Sequence, residues 1–195
     1  MWMETDCGPT LGLHLGMAGH ILIDGNLDPE SLVARRHWNR FVVHFEDGGS
    51  LALRDKRRLS RAVLEPAIER LGPDAGEMSR AAFRTCVGRG GAPIKARLMD
   101  QQVIAGVGNL LADETLWRAH LDPRRAAGSL SSDELDRLRR ELRAAIRSAI
   151  RDGGVHTGQM IRSRRRGASC PRCGAEMRRA TIGGRTTWWC PAEQS

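Results

Sequence analysis

The sequence predicts an α+β chain on three observations. Its first third is patterned for strands, its middle carries apolar residues at helical spacing from about Ser79, and its last segment, Ser169 to Ser195, sets cysteines around a turn between two short strands. Leu11–Leu15 alternates weakly. Phe41-Val-Val-His-Phe45 is rich in strand-formers, stops at Asp47-Gly-Gly49 and resumes at Leu51-Ala-Leu53, which predicts a hairpin. Pro66 and then Leu71-Gly-Pro-Asp74 punctuate the chain and mark a domain boundary. Residues 1–74, 75–160 and 161–195 are accordingly read as three modules. In the second, Ala81, Ala82 and Phe83 open one helical segment, and Ile94 to Val103 forms another. Gly106 and Gly108 then precede a helix from about Asn109 to Ala119, with Pro123 beyond its end. The clearest helix runs from Ser131 to Asp152. Ser131-x-x-Glu134 has the pattern of a capping box, Leu135, Leu138, Leu142, Ile146 and Ile150 form an apolar stripe, and Gly153 is the stop. Its other face carries Arg137, Arg139, Arg140, Arg143, Arg147 and Arg151, which reads as a solvated surface with partial Glu/Arg pairing.

Composition narrows the partner. Among 195 residues, 31 Lys+Arg against 23 Asp+Glu leave a formal charge of +8, and 41% hydrophobic with 28% charged describes a globular chain. No apolar run is long enough to span a bilayer, and the start Met-Trp-Met-Glu-Thr-Asp lacks the basic and apolar regions of a secretory signal. Five cysteines, three of them clustered near the C-terminus, do not suit a secreted disulfide scaffold. The expectation is a cytoplasmic protein that faces a polyanion, nucleic acid above all, because phosphates reward Lys and Arg through counterion release.

Cys170-Pro-Arg-Cys173 followed by Cys190 offers three thiols, the first two spaced to bind one tetrahedral Zn²⁺ across a tight turn. The position three beyond Cys190 is Glu193, so the expected set is Cys170, Cys173, Cys190 and Glu193, with a carboxylate as a harder fourth ligand. A ribbon held by Trp188 and Trp189 without metal is the competing reading. Ala105-Gly-Val-Gly-Asn109 is flanked by helices rather than preceded by a strand, which excludes a dinucleotide fingerprint. By itself it suits an inter-helix turn, or an anion approach to a helix N-terminus.

Three blocks in order resemble one family. Leu13-His-Leu-Gly-Met-Ala-Gly19, then Ile94-Lys95, Leu98-Met-Asp100-Gln101, Ala105–Asn109 and Ala112-Asp-Glu114, then Gly183-Gly-Arg185-Thr-Thr-Trp-Trp-Cys190-Pro look like the formamidopyrimidine-DNA glycosylase/endonuclease VIII family of base-excision repair enzymes. The resemblance implies a partial N-terminal β-sandwich, a helix–two-turns–helix domain and a C-terminal zinc-ribbon-like hairpin. It implies removal of oxidised bases through a Schiff base, abasic-site lyase activity, one structural Zn²⁺, a monomer, and damaged duplex DNA as partner in a bacterial nucleoid. Met17 matches the wedge that fills the gap left by an everted nucleotide, and Arg57 the arginine beside the orphaned base. Lys95 and Asn109 match phosphate contacts, Arg40 falls near a DNA-contacting position, and Arg185 matches a hairpin-tip arginine that grips phosphates and serves the second elimination step.

The chain also departs from the family pattern. The family's terminal Pro nucleophile, the Glu after it and a Lys ahead of the His14 block have no counterpart here, so the sequence looks like the family without the first part of its sandwich, its recorded start falling inside a longer protein. The alternative is a catalytically inactive relative that binds damaged DNA. Leu59 stands where many members carry Phe, and the lesion-recognition loop falls in the unpatterned stretch before Ser169. A generic zinc-ribbon nucleic-acid module would leave the Met17 and Asn109 blocks unexplained.

Overall fold

A computed structural model describes residues 1–16, 18–23 and 36–195, and divides them into two compact units, Met1–Ile68 and Glu69–Ser195. Met17, the expected wedge, lies outside the described residues.

The first unit is built from two antiparallel sheets. β1 (Trp2–Met3), β2 (Leu11–His14) and β6 (Arg61–Leu64) form one, in the order β1-β2-β6; β3 (His20–Ile23), β4 (Asn39–His44) and β5 (Ser50–Arg54) form the other, in the order β3-β5-β4. The period of two along each strand fills the space between them: Leu11 and Leu13 from β2 meet Leu51 and Leu53 from β5, with Ile21, Phe41, Val43 and Ala62 packed around. The β4–β5 hairpin closes where Asp47-Gly-Gly49 predicts. Gly48 sits at φ +86, a conformation that favours glycine, and the Asp47 carboxylate accepts the Gly49 N–H at 2.9 Å. The register of β4 slips between Asn39 and Phe41, so Arg40 occupies a bulge.

In the second unit, α1 (Arg80–Val87), α2 (Ile94–Met99), α3 (Asn109–Arg118) and α4 (Ser132–Arg151) bury one core, centred on Phe83, Val87, Ile94, Leu98, Leu116, Leu138 and Leu142. Ser79 caps α1 by accepting the Ala82 N–H. The capping box forms as expected: the Ser131 hydroxyl accepts the Glu134 N–H, and the Glu134 carboxylate accepts the Ser131 N–H at 2.8 Å. One member of the predicted stripe fails to bury. Ile150 is 77% exposed, because the last turn of α4 runs past the packed layer that Leu138 and Leu142 enter. The arginine face is also less solvated than expected: Arg137 donates to the Ala119 carbonyl and Arg139 to the Met78 carbonyl, tying α4 to its neighbours.

A second cluster joins this core to the C-terminal hairpin of β7 (Arg178–Ile182) and β8 (Arg185–Trp189). Trp117, on α3, buries against Met160, Cys170, Met177, Trp188 and Cys190. Between the strands, Gly183 and Gly184 take φ +56 and +71, the two-residue turn whose twist suits a hairpin and whose positive φ values favour glycine.

Acid sensitivity follows from the α4 cap. Arg125 and the Ser131 N–H hold the Glu134 carboxyl down from 4.5 to about 2, against the opposing effect of partial burial. A folded-state value below the unfolded one stabilises the fold above 4.5, and that stability is lost as the pH falls toward 2. Acid titrations of unfolding midpoints should show this loss in the wild type. Glu134→Gln should remove that component and cost on the order of 1 kcal/mol at neutral pH through the weakened cap.

Candidate nucleic-acid interface and metal centre

In the first unit, the Lys56–Ser60 turn presents Arg57 and Arg58 to solvent because Asp55 folds it from within. The Asp55 carboxylate is fully buried and accepts the N–H groups of Arg57, Leu59 and Ser60 at 2.6–2.8 Å. Burial pushes its carboxyl up, but these amides outweigh that and hold it below the ordinary carboxylate range. Arg58 takes φ +57, outside the range most side chains favour. Leu59, at 42% exposure, stands beside the arginines. The bulged Arg40 turns its Nε onto the Asp55 carbonyl at 2.7 Å, bracing the same turn from β4. Asp55 was visible in the sequence only as the residue before Lys56-Arg-Arg58, and nothing in that pattern signals its burial.

In the second unit, three donors converge on one carbonyl. The Thr186 oxygen accepts from Lys95 Nζ at 3.2 Å, Asn109 Nδ2 at 3.2 Å and an Arg164 guanidinium nitrogen at 3.1 Å. Behind them lies Asp113, whose carboxylate is 2.7 Å from Lys95 Nζ and 2.9 Å from Arg164 Nε, and accepts the Trp188 N–H. Lys95 and Asp113 are both fully buried, and Lys95 also donates to the Thr187 hydroxyl at 2.7 Å. Burial pushes the Asp113 carboxyl up and the Lys95 ammonium down, and the paired charges offset this only in part. The network fixes β8 to the N-terminus of α3, where Gly106 at φ +91 and Gly108 bring the chain round. Arg185 follows the glycine turn at the tip of the hairpin, exposed and with no side-chain partner among the described residues. The structure thus brings Lys95 and Asn109 together beside the Arg185 strand, and places Arg40 and Arg57 in the other unit.

Sequence reasoning missed Asp113, Glu114 and Arg164 as participants. Glu114, nearly buried, accepts the N–H groups of Gln159 and Met160 and pairs with Arg118 at 2.8 Å. Gly158 packs so close that a Cβ there would lie 2.8 Å from Glu114 Oε2. The stretch before Ser169 is therefore fastened to α3 by two adjacent carboxylates, Asp113 through Arg164 and Glu114 through backbone amides.

Near the C-terminus the Sγ atoms of Cys170, Cys173 and Cys190 all lie within 4.8 Å of one another. Backbone N–H groups of Arg172 and Cys173 point at the Cys170 sulfur, and those of Ala192 and Glu193 at the Cys190 sulfur. Burial pushes the Cys170 thiol up, but the Trp117 indole N–H and the amides outweigh it, leaving the thiol below its ordinary value. At Cys190 burial and the Cys173 thiol prevail, raising it to about 11. The donor set and spacing fit a thiophilic cation such as Zn²⁺. Glu193, expected as the fourth ligand, is not among the groups brought within 4.8 Å of one another; its carboxylate lies 3.3 Å from both the Arg172 guanidinium and the His120 ring.

Comparison with known proteins gives the relatives of this chain. The family model for the formamidopyrimidine-DNA glycosylase N-terminal domain matches residues 1–62, and that for the formamidopyrimidine-DNA glycosylase H2TH domain matches residues 71–160. A formamidopyrimidine-DNA glycosylase of Roseiflexus sp. is 36% identical over 95% of this chain and 74% of its own length. The corresponding protein of Chloroflexus aggregans is 31% identical over 97% of this chain and 75% of its own. Among solved structures, Thermus thermophilus MutM aligns with a TM-score of 0.76 at 31% identity, covering 97% of this chain and 77% of that one. Lactococcus lactis Fpg, bound non-covalently to DNA containing an abasic site, aligns at 0.80 with 25% identity, covering 100% of this chain and 77% of that one.

Proposed function

Since the chain belongs to the formamidopyrimidine-DNA glycosylase family, a family of base-excision repair DNA glycosylases with abasic-site lyase activity, we propose how its own residues meet damaged duplex DNA. Family membership favours the enzyme over the inactive-relative reading. The carrying observation is the convergence of Lys95, Asn109 and Arg164 on the Thr186 carbonyl, which ties the α3 N-terminus to the Arg185 hairpin. A helix N-terminus presents free N–H groups to a phosphate, and the exposed guanidinium of Arg185 adds a charge-assisted donor beside it. Arg185 is the chain's candidate for the phosphate grip and for the elimination step. Lys95, expected at a phosphate, is fully buried and acts from inside: paired with Asp113, it holds the Thr186 carbonyl and the Thr187 hydroxyl of the hairpin. Arg57 on its Asp55-braced turn, Arg40 behind it, and Met17 supply the contacts at the extruded nucleotide.

Cys170, Cys173 and Cys190 would hold one Zn²⁺, which when bound cross-links the two ends of the hairpin module. The protein acts as a monomer on nucleoid DNA, and no described helix is long and apolar enough to cross a membrane.

Fluorescence titration of a duplex carrying a tetrahydrofuran abasic analogue, against the same duplex intact, tests this reading. Tighter binding to the analogue is expected, with affinity falling steeply as salt rises. Equal affinity for both duplexes would reduce the chain to a non-specific DNA binder.

A further inference from the structure

The three-sulfur cluster leaves one tetrahedral vertex to be filled, and the surroundings decide what can fill it. The indole N–H of Trp117 donates to Cys170 Sγ at 3.4 Å, and the Arg172 guanidinium stacks on that indole at 3.9 Å; neither can ligate a cation. His120 is engaged with the Glu193 carboxylate and main-chain carbonyl, and its ring nitrogens lie 3.1–3.3 Å from Arg172. The Gln194 side chain accepts the Cys190 N–H and donates to the Leu121 carbonyl. Glu193, at the position where the spacing would set a fourth ligand, is held by Arg172 and His120. The side chains named here are thus donors or already have a partner. Cys170 and Cys190 are buried while Cys173 is exposed, so the centre opens to solvent on the Cys173 side.

We infer that this centre binds its metal through three thiolates alone and keeps the fourth position for an exchangeable small ligand, water or a low-molecular-weight thiol. A tetrahedral site with three protein ligands completes its shell from outside. A borderline-soft cation already held by sulfur takes a thiol there in preference to water. The incoming thiol gives up its proton to solvent and displaces the water without any change of oxidation state. The inference rests on the metal reading above and adds to it which ligands the chain does not supply.

Cobalt(II) loaded alone into the full chain provides the test, because its absorption reports the number of sulfur donors. The thiolate-to-cobalt band of the wild type should gain intensity as 2-mercaptoethanol is added. Glu193→Gln should give the same starting spectrum and the same response. Glu193→Cys should start with the stronger band and ignore the added thiol, because its own sulfur closes the vertex. A thiol-free spectrum altered by Glu193→Gln would make Glu193 a ligand, and a wild type indifferent to thiol would mean a closed site. Either result overturns the inference while leaving the metal reading intact. Failure of the wild type to bind cobalt at all would overturn both.

Discussion

Replacing Asp113 with alanine is expected to destabilise the Glu69–Ser195 unit by about 3–5 kcal/mol in urea-unfolding measurements. The carboxylate is the hub through which α2, α3, β8 and the segment around Arg164 are joined. Without it the Lys95 ammonium stays in a site with no exposure, left with only the Thr187 hydroxyl and the Thr186 carbonyl. Arg164, at 14% side-chain exposure, can swing outward and recover water. Lys95 cannot, so it carries the penalty. The pair is also expected to be strongly non-additive. Lys95→Met combined with Asp113→Leu should recover most of the loss, because exchanging a buried pair for apolar side chains is often neutral. A loss below about 1 kcal/mol for Asp113→Ala, the range of an exposed ion pair, would mean that the network does not hold the hairpin to the helices.

How much of this was legible in the sequence depended on the range of the interaction. The α4 helix was readable in detail because its signals are local: a cap, its reciprocal Glu134, and a stripe repeating every three or four residues. The β4–β5 and β7–β8 turns were readable for the same reason, since Asp47-Gly-Gly49 and Gly183-Gly184 dictate backbone geometry where they stand. Ile150 obeyed the stripe and still came out exposed, since periodicity names a face but not how far the neighbouring layer extends along it. Asp113 and Glu114 could be quoted as part of a motif, yet their partners Arg164, Trp188, Gln159 and Met160 are 45 to 75 residues away. Glu193 shows the same limit. Spacing from Cys190 singled it out, but its contacts with His120 and Arg172 are made by the fold and could not be read from that spacing.

The DNA interface yields the second large effect. Arg185→Ala should weaken binding to the abasic-analogue duplex by roughly 10- to 100-fold, the range that corresponds to about 1.5–3 kcal/mol for a lost charge-assisted hydrogen bond. It should also lower the slope of log affinity against log salt by about 1, because one fewer counterion is released. Since the guanidinium has no partner among the described residues, its removal should leave the unfolding midpoint where it was. Asn109→Ala provides the contrast. Its amide is neutral, so the salt slope should hold; but Nδ2 ties the Thr186 carbonyl to the start of α3, so affinity should fall several-fold as the hairpin loosens. Arg140→Ala, on the solvent face of α4 beside Glu141, is the matched control for simple loss of positive charge. If Arg140→Ala reduced affinity and slope as much as Arg185→Ala, binding would follow the net charge of the chain. A loss confined to Arg185 and Asn109 would instead locate the phosphate site where the glycine turn of the hairpin meets the first residue of α3.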